Sequence, residues 1–133
     1  MDVAISGDFA YVADYLEGLR VVDVNPPIAP IEVGSSIGYG GGTVDVATSG
    51  ALAFVAELSG GLRIINVTTP STPVEIAAIP TMAEASSVAV SGSYAFVAVD
   101  WAGIEIYQDS QVFVDGFESG STAAWSFSTG RTP

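Results

Sequence analysis

Apolar and small residues run through this chain in short blocks, each bounded by glycine, and the blocks return at a nearly fixed spacing. Val3-Ala4-Ile5-Ser6-Gly7-Asp8-Phe9-Ala10-Tyr11-Val12-Ala13 comes back as Val46-Ala47-Thr48-Ser49-Gly50-Ala51-Leu52-Ala53-Phe54-Val55-Ala56, and again as Val88-Ala89-Val90-Ser91-Gly92-Ser93-Tyr94-Ala95-Phe96-Val97-Ala98. The offsets are 43 residues, from Val3 to Val46, and 42, from Val46 to Val88. Repeats of roughly 40 to 50 residues are typical of propeller blades and related arrays.

Within each repeat the blocks predict strands. They hold β-branched and aromatic residues in runs too short for helices, and the Ser-Gly pair between the first two supplies a tight hairpin turn. A third strand follows a second glycine, as Gly18-Leu19-Arg20-Val21-Val22-Asp23-Val24, Gly61-Leu62-Arg63-Ile64-Ile65-Asn66-Val67 and Gly103-Ile104-Glu105-Ile106-Tyr107. A fourth starts at proline in two repeats, Pro30-Ile31-Glu32-Val33-Gly34 and Pro73-Val74-Glu75-Ile76-Ala77; proline suits a strand start because it cannot donate to a ladder. The third repeat lacks the Pro-rich connection, and Gln111-Val112-Phe113-Val114 is its expected fourth strand.

Strands with one wet face alternate apolar and polar residues, whereas these are apolar on both faces, so each small sheet is expected to be covered on both sides. The fold class expected is all-β, with three four-stranded antiparallel blade-like repeats stacked as a partial or open β-propeller and almost no helix. A sandwich or barrel is the competing architecture, and it does not explain so regular a period. The repeats are placed at about 2–44, 45–86 and 87–114, with 115–133, rich in Ser, Thr, Gly and Ala, as a weakly ordered C-terminal tail. Propellers close with about 4 to 8 blades. Three repeats therefore leave a piece of a larger ring, an open wedge, or a pair of copies joined through exposed blade faces.

The repeats resemble the LVIVD repeats of bacterial surface and secreted proteins, whose pattern is close to V-A-V-S-G-x-Y-A-Y-V-A-D, then G-L-R-V-I-D-V, then P-x-x-P-V-E-V-G. The likeness runs through Val3 to Gly34 and Val46 to Ile76, and more loosely through Val88 to Tyr107, where Glu105 replaces the arginine of the other two repeats. Asp115-Gly116-Phe117-Glu118-Ser119-Gly120, followed by Ala124-Trp125-Ser126, is similar to a C-terminal segment of many exported bacterial proteins. The resemblance implies a propeller fold and an extracytoplasmic setting, secreted or at the cell surface, provided the chain lacks its original N-terminus; Met1-Asp2-Val3-Ala4 has no leader character. It implies no shared catalytic chemistry.

Composition narrows the function further. The 133 residues contain no Cys and no His, which removes disulfides, thiolate metal sites, thiol nucleophiles and the commonest general base. Three Arg and no Lys stand against 15 acids, for a formal charge of −12. Such a field disfavours nucleic acid as a partner and favours cations. No apolar run is long enough to span a bilayer as a helix.

The loops joining strand two to three, and strand four to the next strand one, should open on one face. That face collects Asp2, Asp14, Asp45, Glu57 and Asp100, with Tyr15, Tyr39 and Trp101 beside them in sequence. Carboxylates and stacking rings suit a hard cation or a carbohydrate or protein surface; the plainer role is to satisfy turn backbone groups and keep the face soluble. No Asp-x-Asp-x-Asp-Gly loop occurs, and no cofactor is implied. Asp2 and Asp45 also raise a glycosidase reading, since two carboxylates are the minimum for acid and base roles, but equivalent positions of a repeat tend to match for structural reasons. Arg20 and Glu32, like Arg63 and Glu75, are 12 residues apart and are expected to pair across strands. The sequence thus favours a noncatalytic binding or display module over a carboxylate-dependent hydrolase or a structural spacer.

Overall fold

The computed structural model describes residues 1–38, 41–109 and 125–127. Among these there is no helix; antiparallel strands form three separate sheets, each in simple sequential order. The first holds β1 (Asp2–Ser6), β2 (Phe9–Asp14), β3 (Gly18–Asp23) and β4 (Ile31–Ser36). The second holds β5 (Asp45–Ser49), β6 (Leu52–Ala56), β7 (Leu62–Asn66) and β8 (Val74–Ile79), and the third β9 (Ala85–Ser91), β10 (Tyr94–Val99) and β11 (Gly103–Asp109). A short β12 (Trp125–Phe127) lies along the outer edge of β11, with Tyr107 opposite Phe127. The edge expected for Gln111–Val114 is therefore taken by Trp125–Phe127, whose aromatic and polar residues alternate as a strand does; 111–114 lie outside the described residues.

Both glycine signals act as the sequence suggests. Gly7, Gly50 and Gly92 have φ near +60° (60°, 58° and 59°) at the first of the two residues linking paired strands, the position at which a type II′ hairpin requires glycine. Gly18 and Gly61 open their third strands at φ of 89° and 77°, where a Cβ would run into the carbonyls of Ser36 and Ile79. The fourth strand lies too close for any side chain.

A second repeated device sits between strands three and four. Val21 pairs with Gly34 and Val22 with Glu32, skipping Val33; Ile64 pairs with Ala77 and Ile65 with Glu75, skipping Ile76. One extra residue reverses which face the following side chains occupy. In a regular ladder Glu32 would stand on the face opposite Arg20, and the bulge brings it onto the same face. Arg20 Nη1 donates to Glu32 Oε1 at 2.8 Å, and Arg63 Nη1 lies 3.1 Å from Glu75 Oε2.

The core is the space between sheets. Tyr11, Ala13, Leu19 and Val21 of the first sheet meet Val46, Ala53, Val55, Ile65 and Val67 of the second. The second sheet's other face, carrying Phe54, Ala56, Leu62 and Ile64, meets Ala85, Val88, Ala95, Val97 and Tyr107 of the third. Alternate side chains of one strand thus enter two different cores, which is why the strands of the middle sheet are apolar on both faces. The sheets approach most closely along their first strands, β1 beside β5 and β5 beside β9. Recurrent alanines keep these facing surfaces close.

Phe54 is buried between the second and third sheets. Phe54→Ala is expected to lower stability by about 3–5 kcal/mol in urea unfolding through lost burial and a cavity, whereas Ile28→Ser, in an exposed loop, should stay within about 0.5 kcal/mol.

Candidate functional site

The loops after strands two, four, six, eight and ten gather at one end of the stacked sheets. Their backbones join: the Thr43 N–H donates to the Tyr15 carbonyl at 3.2 Å, Leu58 and Ala85 exchange both N–H···O bonds, and the Asp100 N–H donates to the Glu84 carbonyl. This is the face the sequence marks as acidic. Of the carboxylates on it, Asp2 and Asp45 meet as a pair, and most are engaged in holding the sheets together.

Asp2 and Asp45 begin the first strands of adjacent sheets. Asp2 Oδ2 accepts the Val46 N–H at 3.3 Å, one sheet onward; Asp45 Oδ2 in turn accepts the Val88 N–H at 2.8 Å and the Ser87 hydroxyl at 3.0 Å on the third. Each carboxylate pins the next sheet by one backbone group. The two side chains also stand next to each other and act on each other's ionisation. That contact with Asp45 and the Val46 N–H hold Asp2 below its ordinary value, against an opposing effect of burial. Burial, then the Asp2 neighbour, pushes Asp45 up, only partly offset by the Val88 N–H and the Ser87 hydroxyl. Ser87 occupies the same repeat position in the third sheet and extends the row without adding a third charge.

Asp14 caps its own loop, accepting the Leu16 and Glu17 N–H groups, and accepts Arg20 Nε at 2.9 Å. Partial burial would raise its pKa, but these donors outweigh it and leave it lowered. Glu57 is the equivalent residue one repeat later and is buried; it accepts the Thr43 hydroxyl at 3.3 Å and lies 3.4 Å from Arg63 Nε. Asp14, Arg20 and Glu32 thus form one acid-base-acid cluster, and Glu57, Arg63 and Glu75 form its more buried copy.

The third repeat inverts this arrangement. Glu105 replaces the arginine, and Val99 stands where Asp14 and Glu57 stand, so the carboxylate of that position is gone. Buried Glu105 accepts the Met82 N–H at 2.8 Å and the Tyr107 hydroxyl. Burial, then the adjacent carboxylate, raises the Tyr107 phenol well above its ordinary value. The change of Arg to Glu is visible in the sequence; its partners are not, because Met82 contributes through its backbone.

Four of the site residues named from sequence therefore have demonstrable structural partners. Asp100 and Trp101 are exposed in the loop after β10, and Tyr15 is exposed in the loop after β2. Tyr39 lies outside the described residues. Tyr15, Leu16, Gly38, Gly41, Gly42 and Thr43 line a depression of about 240 Å³. Leu16 and Thr43 carried no sequence signal of their own, being singletons in loops. Gly42, at φ 144°, lies under the Tyr15 ring, where a Cβ would collide with it. Among the described residues no group of three acids is arranged to hold a metal ion, and no helix is long and apolar enough to cross a membrane.

The LVIVD repeat family matches the chain over residues 1–36, 40–81 and 83–106. No curated protein matches it. The crystal structure of the computationally designed Ika8 protein is similar in fold, with a TM-score of 0.67 over 80% of this chain at 8% identity. The chain spans 32% of that protein's length.

Three substitutions test these assignments. Arg63→Met leaves Glu57 buried without its cation and should cost about 3 kcal/mol, clearly more than Arg20→Met at the outer surface. For the carboxyl pair, Asp45 binds its proton more tightly folded than unfolded, so its contribution is present below the ordinary value of 3.8 and is lost as pH rises through the raised folded value. Asp2 acts oppositely, supplying stability above 3.8 that is lost as pH falls through its lowered value. In Asp45→Asn the amide oxygen can still accept from Val88 and the amide nitrogen can donate to Asp2. Its urea midpoint should exceed that of the parent at pH 7, and the gain should disappear near pH 4.

Proposed function

The chain belongs to the LVIVD-repeat family, and from that premise we propose that its three sheets are blades of an open or partial β-propeller serving as a noncatalytic binding or display module of an exported bacterial protein. The observation that carries this reading is the division of labour on the loop-rich face. Asp2, Asp14, Asp45 and Glu57 are committed to backbone N–H groups, hydroxyls and arginines, which suits structural duty better than acid and base catalysis. What projects from the face instead is apolar and aromatic, namely Tyr15, Leu16 and Trp101, together with exposed Glu17, Glu84 and Asp100.

Exposed rings beside acceptor groups are the side chains with which sugar faces and hydroxyls are recognised, and a shallow depression suits an extended ligand better than a small enclosed one. A carbohydrate surface is accordingly the first ligand class to try. The extracytoplasmic setting rests on the family resemblance and on the Asp115–Gly120 segment.

Titrating the chain with cellohexaose and chitohexaose, followed by tryptophan fluorescence, is expected to give a saturable response with at least one of them. Trp101→Ala and Tyr15→Ala should each weaken it about tenfold or more without moving the melting temperature. Release of new reducing ends during the titration would overturn the noncatalytic reading. Saturable binding that survives both substitutions would move the site off this face.

A further inference from the structure

The two junctions between sheets are built from equivalent positions, so one serves as the control for the other. At the second, Leu58 and Ala85 exchange both N–H···O bonds, and the five residues that lead from β8 to Ala85, Pro80 to Glu84, contain no glycine. At the first, Tyr15 takes the place of Leu58 and Thr43 that of Ala85, and the Thr43 N–H reaches across to the Tyr15 carbonyl at 3.2 Å. The linker there has six residues, 37–42, and four of them are glycine. It is at this first junction that the depression of about 240 Å³ lies.

Each described glycine of that linker has a neighbouring group where its Cβ would be. A Cβ on Gly38 would come within 2.7 Å of Glu57 Oε2 and 2.8 Å of Thr43 Oγ1, and one on Gly41 within 2.7 Å of Ser59 Oγ. One on Gly42 would stand 2.5 to 3.0 Å from three atoms of the Tyr15 ring, Cε2, Cζ and Cδ2. The ring, which turns about two bonds, would have to leave its place. Gly42 also has a φ of 144°, a conformation that side-chain-bearing residues avoid.

The lining that results has two parts. Bare backbone amides come from the glycines, and an apolar wall comes from Tyr15 and Leu16. Gly42 backs the Tyr15 ring on one side, and Tyr15 is still 47% exposed. A ring fixed in advance gives up less freedom on binding than one that has to find its place. The volume falls below the roughly 300 to 1,000 Å³ of pockets that take drug-sized ligands, which suits a single sugar ring.

We infer that Gly42 is a positioning residue of the carbohydrate site, seating the Tyr15 ring so that it stacks on one sugar ring held in the depression at the first junction. The inference rests on the carbohydrate reading of the loop-rich face. Having no side chain to offer a ligand, Gly42 acts through Tyr15. Replacing it therefore matters to binding while the ring is present and ceases to matter once the ring is gone.

A double-mutant cycle of Gly42→Ala and Tyr15→Leu is the test, read by isothermal titration calorimetry with cellohexaose and chitohexaose on samples whose circular dichroism matches the parent. Leucine holds the equivalent position in the second repeat, so Tyr15→Leu suits the fold. Each single substitution should weaken binding about tenfold, and the double variant should be no weaker than Tyr15→Leu alone. A second measurement needs no Gly42 variant: in NMR spectra of the free chain the Gly42 protons should carry an upfield ring shift that persists with sugar bound and vanishes in Tyr15→Leu. Parent-like binding by Gly42→Ala overturns the inference, as do additive losses in the double variant. A ring shift that arises only with sugar bound also overturns it, because the ligand then places the ring. If the parent binds neither sugar, the carbohydrate reading fails and the inference with it; if Tyr15→Leu alone weakens binding, the reading stands and the role of Gly42 falls.

Discussion

Everything in this molecule depends on burying both faces of a very small sheet. A four-stranded sheet of five- and six-residue strands has too little interior to stand alone, and here its stability comes from apolar contact with neighbouring sheets, on both faces for the middle sheet and on one for the outer two. The middle sheet is the demonstration, with Phe54, Leu62 and Ile64 entering one core and Val55 and Ile65 the other. Repetition follows from that constraint, since a face that fits its neighbour once fits the next copy as well.

The polar groups are arranged around the same requirement. Facing surfaces close enough to exclude water leave first-strand N–H groups in need of acceptors, and Asp2 and Asp45 supply them across the gap. The price is a pair of neighbouring carboxyls, of which Asp45 resists ionising. The arginines are treated likewise: a bulge at Val33 and at Ile76 turns Glu32 and Glu75 toward them, so cations in a strongly acidic chain end up surrounded by acids within their own sheet. Asp2, Asp14, Asp45 and Glu57 consequently add little to the surface chemistry of the loop-rich face, where Glu17, Glu84 and Asp100 are the exposed acids. Tyr15, Leu16 and Trp101 are exposed beside them.

Much of the architecture was legible because it is periodic. Ser-Gly and the second glycine mark turns and strand starts by local steric rules, and they lie where the chain needs positive φ. The Arg20–Glu32 and Arg63–Glu75 pairs were readable from matched spacing, but the bulge that makes them possible was not, because nothing in Ile31 to Gly34 or Val74 to Ala77 departs from an ordinary strand. Glu57 and Asp14 looked like ligands since sequence shows residue type and not partner. Whether such a carboxylate faces solvent, an arginine or a backbone N–H of another sheet depends on the fold around it: Asp14 meets Arg20 of its own sheet, whereas Asp2 meets Val46, 44 positions away.

By itself, then, the sequence determined the repeat, the strands and the demand that every sheet be covered on both faces, since all of these follow from local conformational preference and from the period of apolar residues. The tertiary structure decided which acids are spent on cross-sheet hydrogen bonds and how Glu105 and Tyr107 replace an arginine cluster. Those outcomes depend on distances between sheets, and no spacing along a single chain encodes them.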